Sequence, residues 1–109
     1  MPYDEDLVRR MRTHLAQVPG LTEKKMFGGV GFLIDGNIAC GVHRQDLIVR
    51  VGPERYAQAL AQPWVRVFDM TGRPMKGWIT VAPAGYAAEE DLCAWLQQGV
   101  EFAQSLPAK

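Results

Sequence analysis

Val30-Gly31-Phe32-Leu33-Ile34-Asp35-Gly36-Asn37-Ile38-Ala39-Cys40-Gly41-Val42 is the stretch that decides the fold. An Asp-Gly pair between two apolar runs marks a two-residue turn whose central residues need positive φ and whose twist suits paired strands. The stretch therefore reads as an antiparallel hairpin. A two-residue loop pairs Ile34 with Asn37, Leu33 with Ile38, Phe32 with Ala39, Gly31 with Cys40 and Val30 with Gly41. After the polar loop His43-Arg44-Gln45-Asp46, Leu47-Ile48-Val49-Arg50-Val51 returns as a third strand. That loop length sets Val42 opposite Leu47, Cys40 opposite Val49 and Ile38 opposite Val51. Because side chains alternate across a sheet, one face then carries Leu33, Ile38, Cys40, Val42, Leu47, Val49 and Val51. That face is wholly apolar and is expected to meet the core. Phe32, Ile34, Ala39, Ile48 and Arg50 are expected on the other.

Outward from the hairpin, Asp4 is placed to cap a helix running to about Gln17, with Glu5 and Asp6 in its first turn and an apolar stripe of Leu7, Met11, Leu15 and Val18. Gly52-Pro53 opens a second helix with Tyr56, Ala59 and Leu60 on its apolar side, ending before Pro63. Residues 65–69 and 78–82 read as two further strands. Pro83-Ala84-Gly85 reads as a break. A last helix begins at Glu89-Glu90-Asp91 and carries Leu92, Trp95, Leu96, Gly99, Ala103 and Leu106 on one stripe, without a Ser, Thr or Asn to cap it. The order is α-β-β-β-α-β-β-α. The fold class is α+β, with a mainly antiparallel sheet of about five strands and three helices.

The totals agree with one domain over residues 1–109. Twelve Lys and Arg balance twelve Asp and Glu, which argues against a non-specific nucleic-acid binder, since such a protein needs excess positive charge to displace counterions. No apolar run is long enough for a membrane span, and the acidic N-terminus is unlike a signal peptide. Cys40 and Cys93, the two cysteines, read as small buried hydrophobes rather than as a disulfide, so the expected compartment is the cytoplasm.

Two ordered motifs carry a family resemblance. Met26-Phe27-Gly28-Gly29-Val30-Gly31-Phe32 precedes the Asp35-Gly36 hairpin. Arg50-Val51-Gly52 and Phe68-Asp69-Met70-Thr71-Gly72-Arg73-Pro74-Met75-Lys76-Gly77-Trp78 follow it. Over almost the whole chain the sequence resembles the N-terminal domain of the TfoX/Sxy proteins, bacterial regulators of natural competence. The resemblance implies an α+β domain that, in full-length regulators, precedes a helical C-terminal domain and acts with the cyclic-AMP receptor protein as a transcriptional co-activator. Ending at Lys109, the chain is expected to be a stand-alone copy, which sets competence regulation itself in doubt.

Few residues suggest chemistry. Gly28-Gly29-Val30-Gly31 is followed by a strand rather than the helix a phosphate loop requires, so its glycines read as backbone clearance or a bulge. His14 and His43 form no metal spacing, neither cysteine has a CxxC neighbour, and Ser105, the single serine, has no nucleophile elbow around it. No metal, cofactor or catalytic residue is expected, and the protein is read as a non-enzyme. The connection from Met70 to Gly77 stands out, being longer than a usual hairpin loop and holding Thr71, Gly72, Arg73 and Lys76 before Trp78. Two cations, an opened backbone and an aromatic can grip an anion or a carboxylate. Residues 43–78 carry six cations against three acids and residues 79–109 one against four, which suggests a polarised molecule and favours steering of an acidic partner or self-association over general nucleic-acid binding. The expectation is a regulatory, protein-binding module using Arg50, Thr71, Gly72, Arg73, Lys76 and Trp78. It would be a monomer or weak homodimer, with no membrane partner. The alternatives are direct nucleic-acid binding, or an enzyme or carrier holding a small anionic ligand at the Arg73/Lys76 loop.

Overall fold

The structure, a computed structural model, describes residues 3–26, 28–69, 72 and 74–109. The Asp4 carboxylate accepts from the backbone N–H groups of Asp6 and Leu7, and α1 (Glu5–Leu15) follows, burying Leu7, Val8, Met11 and Leu15. Next come β1 (Leu21–Met26), β2 (Gly29–Ile34), β3 (Asn37–His43), β4 (Asp46–Arg50), α2 (Tyr56–Leu60), β5 (Val65–Val67), β6 (Trp78–Val81), α3 (Pro83–Tyr86) and α4 (Glu89–Gln104). The fold is α+β. The strands form one antiparallel sheet in the order β1-β2-β3-β4-β6-β5. Buried residues of α1 and α4 share one cluster with Cys40, Val42, Leu47, Val49, Ile79 and Val81, so this face of the sheet meets the core.

Six strands and four helices stand among the described residues where five and three were expected. The added strand is β1, Leu-Thr-Glu-Lys-Lys-Met, whose middle four residues are exposed. The added helix is α3, in which Pro83 occupies the first turn, where its missing N–H is no loss. The second helix starts at Tyr56 rather than Pro53, residues 53–55 forming a turn.

The hairpin turns at Asp35-Gly36 with φ of +51° and +87°. Near the turn the expected register holds, Ile34 facing Asn37 and Leu33 facing Ile38. Between Phe32 and Leu33 the register shifts, and Phe32 faces Cys40, Gly31 faces Gly41 and Val30 faces Val42. Ala39 is the extra residue of a β-bulge. The expected pairs Phe32 with Ala39, Gly31 with Cys40 and Val30 with Gly41 are therefore corrected. So is the face, because Val30, Phe32, Ile34 and Ala39 belong to the core cluster. Leu33, though buried, lies outside that cluster, and Ile38 is half-buried. The β3–β4 pairs Cys40 with Val49 and Val42 with Leu47 stand as read. Ile38 does not meet Val51, whose N–H donates instead to the Gly77 carbonyl at 2.8 Å. Gly99 of α4 sits against the bulge, where a Cβ would strike the Ala39 carbonyl.

The clearance reading of the glycine run fits. A Cβ on Gly29 would collide with the Val42 carbonyl, and one on Gly31 with the Met26 sulfur. Cys40 is buried, and burial pushes its thiol up to about 12. Cys93 is exposed on α4, contrary to the expectation of two buried cysteines, because its position falls off the helix's apolar stripe. Among the described residues no helix is long and apolar enough to cross a membrane.

Candidate functional site

Arg50 closes β4, paired with Trp78, which opens β6. Alternation starts its side chain on the face opposite Val49. Its guanidinium carbon then lies 5.3 Å from the centre of the Trp78 ring and 5.2 Å from that of Phe102. Phe68 stacks on Trp78, with centroids 5.8 Å apart and planes inclined by 28°. Phe68, Trp78, Arg50 and Phe102 thus form a stack of ring, ring, cation and ring.

Two glycines hold the strand ends close enough for this stack. Gly52 has φ +88° and Gly77 has φ +92°. The Gly77 carbonyl accepts from both Val51 and Gly52, the second bond being 3.1 Å. A Cβ on Gly52 would run into the Phe102 ring, and one on Gly77 would stand 3.3 Å from the Gly52 carbonyl carbon. Positive φ and crowding together leave glycine as the residue that fits. Phe102 also walls a hollow of about 330 Å3 with Gly52, Pro53 and Arg55.

Arg50 is half-buried, and burial lowers its pKa from the ordinary arginine value, although an arginine remains charged at any physiological pH. Among the described residues no carboxylate pairs with it. No buried side-chain nitrogen or oxygen there lacks a hydrogen-bond partner, so the guanidinium N–H groups reach the surface. A guanidinium with rings on its faces keeps its in-plane edge for a carboxylate or phosphate.

Lys76 is exposed two residues ahead of Trp78, with no ion pair among the described residues. Gly72 is exposed at φ +83°, with open space around it, and its N–H donates to the Asp69 carbonyl. Thr71 and Arg73 lie outside the described residues. The structure therefore joins Arg50 to Trp78 directly and leaves Lys76 and Gly72 as surface positions of the adjoining loop. Phe102, Phe68, Gly52 and Gly77 were missed as site residues. The available signals were an aromatic at the edge of the last helix's apolar stripe, seven residues after Trp95, and glycines close after Arg50 and directly before Trp78.

Two nearby arginines are paired. Arg55 donates to Glu101 at 2.9 Å and Arg66 to Asp46 at 2.6 Å. The second pair lies within residues 43–78, and the first joins Arg55 of that segment to Glu101 of the acidic one. Among the described residues no group of three His, Cys, Asp or Glu is placed to hold a metal ion.

A family model for the TfoX N-terminal domain matches residues 13–103. The chain belongs to the TfoX N-terminal domain family. No curated protein and no solved structure matches it. In this TfoX N-terminal domain, the matched span contains Arg50, both glycines, Trp78 and Phe102.

Proposed function

We propose that this TfoX N-terminal domain is a non-enzymatic regulatory module that binds a protein partner through an acidic group received by Arg50. The observation that carries the reading is the stacked guanidinium, which has aromatic faces, an accessible edge and no carboxylate of its own among the described residues. A half-buried charge is costly unless something offsets it. The two rings supply cation–π attraction, and a partner carboxylate or phosphate would add charge-assisted hydrogen bonds. Lys76 would add steering rather than much affinity, as rim charges do. A role in transcription regulation, carried out in the cytoplasm, is the setting that family membership suggests.

The test is affinity capture with the immobilised domain, comparing wild type with Arg50→Gln, followed by mass spectrometry of what is retained. A specific partner should be held by wild type, released by salt and lost with Arg50→Gln, while Lys76→Ala reduces capture several-fold. Equal retention by Arg50→Gln would place the function elsewhere on the molecule. Salt-dependent shift of duplex DNA that vanishes with Arg50→Gln would instead favour a phosphate backbone as the partner.

A further inference from the structure

Trp64 has φ +68°, a left-handed backbone conformation that sterics disfavour for a bulky side chain. The fold enforces it. The Ala82 N–H donates to the Trp64 carbonyl at 2.8 Å, and Gly85 leaves the space that Trp64 needs, since a Cβ there would stand 3.1 Å from the Trp64 Cβ. Core burial does not repay this strain, because Trp64 is 61% exposed. Its indole N–H makes no hydrogen bond among the described residues, unlike that of Trp95, which donates to Gly85 at 3.3 Å. Strain held in place by its surroundings points towards a functional surface.

The indole walls a groove of about 730 Å3 between α2 and α4, together with Gln58, Gln62, Gln98 and Asp91. The Arg55–Glu101 pair neutralises one end. Asp91, exposed at the other, has no ion pair among the described residues. From Asp91 to Glu101 the wall follows α4 for roughly 15 Å, at 1.5 Å per helical residue.

We propose that this groove binds an extended, proline-rich segment of a partner protein, with a basic side chain set against Asp91. A polyproline II chain rises about 3.1 Å per residue, so about five residues cover that length. Its proline rings suit the exposed indole face. Its carbonyls have no partners within their own chain and can accept from the glutamine amides and the Trp64 N–H. It is ordered before it binds, so little entropy is lost on docking. The charge of the groove selects a basic flank. This surface adjoins the Arg50 stack at the Arg55–Glu101 pair but contains none of the four stacked residues.

The experiment is fluorescence anisotropy with a labelled peptide of repeated Pro-Pro-Ala carrying one terminal arginine. Wild type should bind it saturably. Trp64→Gly should weaken binding at least about tenfold, as loss of an aromatic anchor does, and should raise Tm by a few degrees because glycine tolerates positive φ. Asp91→Asn should weaken the arginine-tailed peptide but not one lacking the arginine. Arg50→Gln should leave binding unchanged, which separates this site from the Arg50 stack. The proposal is overturned if wild type fails to bind the peptide, or if Trp64→Gly binds it equally well. It is equally overturned if Trp64→Gly lowers Tm, if the groove takes an oligosaccharide such as cellohexaose in place of the peptide, or if Trp64 serves self-association seen by sedimentation.

Discussion

Gly52 determines how closely Phe102 can approach Arg50, and the absence of one methyl group shapes the stack. Gly52→Ala would combine left-handed strain with overpacking against the Phe102 ring. It should destabilise the domain by about 2–4 kcal/mol, read from urea denaturation. The two thiols give a second test at this scale. With Cys40 buried and its thiol pushed up to about 12, only Cys93 should react with Ellman's reagent in the native protein. Cys40 should react after denaturation, and rapid reaction of both thiols in the folded domain would contradict the burial of β3. Residue-scale features were the least legible in the sequence. Arg50 could be singled out as a charge at the end of an apolar strand. Nothing local announced that Phe102, distant in the chain, would cover it. Trp64 carried no signal either, since its left-handed backbone arises from contacts with Ala82 and Gly85 that only the fold creates.

At the scale of elements, legibility followed periodicity. α1 was readable because its cap, acidic first turn and stripe agree with one another. The hairpin was readable at its turn, where Asp35-Gly36 dictates positive φ. It was misread beyond Leu33 because Val30 to Ile34 contains no polar residue to reveal which face is which. A bulge inserts one residue and reverses every side chain after it, so a register correct at one end is wrong at the other. β1 was invisible because four consecutive polar residues do not alternate, and a strand with little burial need not alternate. Val49, in contrast, is fully buried where β4 crosses the core. Val49→Ala should cost about 2–3 kcal/mol in urea denaturation, the sum of lost transfer energy and a small cavity. A change below about half a kcal/mol would mean that this face is loosely packed.

Across the whole molecule, α1 is fastened to α4 through Glu89. Its carboxylate accepts from Arg10 Nε at 2.5 Å and meets His14 Nε2 at 2.7 Å, while Arg10 also donates to the Tyr86 and Ala87 carbonyls at 3.1 Å. Hydrogen bonds from His14 and Arg10 hold Glu89 below the usual carboxylate range, and Arg12 does the same for Glu23. A carboxylate lowered by folding contributes its full stability above its unfolded pKa, about 4.3, and loses it as pH falls through the lower folded value. Tm should therefore drop as pH is taken from about 5 towards 3, and Glu89→Gln should flatten part of that slope. Both pairs are exposed, so the effect will be modest and reduced by salt.

The sheet's two outer strands are β1 and β5. An unpaired strand edge is a template on which further chains can add without limit, the first step towards fibrils. β1 offers Glu23, Lys24 and Lys25 in succession, so a neighbouring copy aligning there in register would set like charge against like. β5 is only three residues long and carries Arg66 at its centre. The strand that was hardest to read in the sequence, because it is charged where a strand is usually apolar, is by the same property a guard against aggregation. Replacing Lys24 and Lys25 with valine would strengthen β1 as a strand and, by the same change, remove that guard.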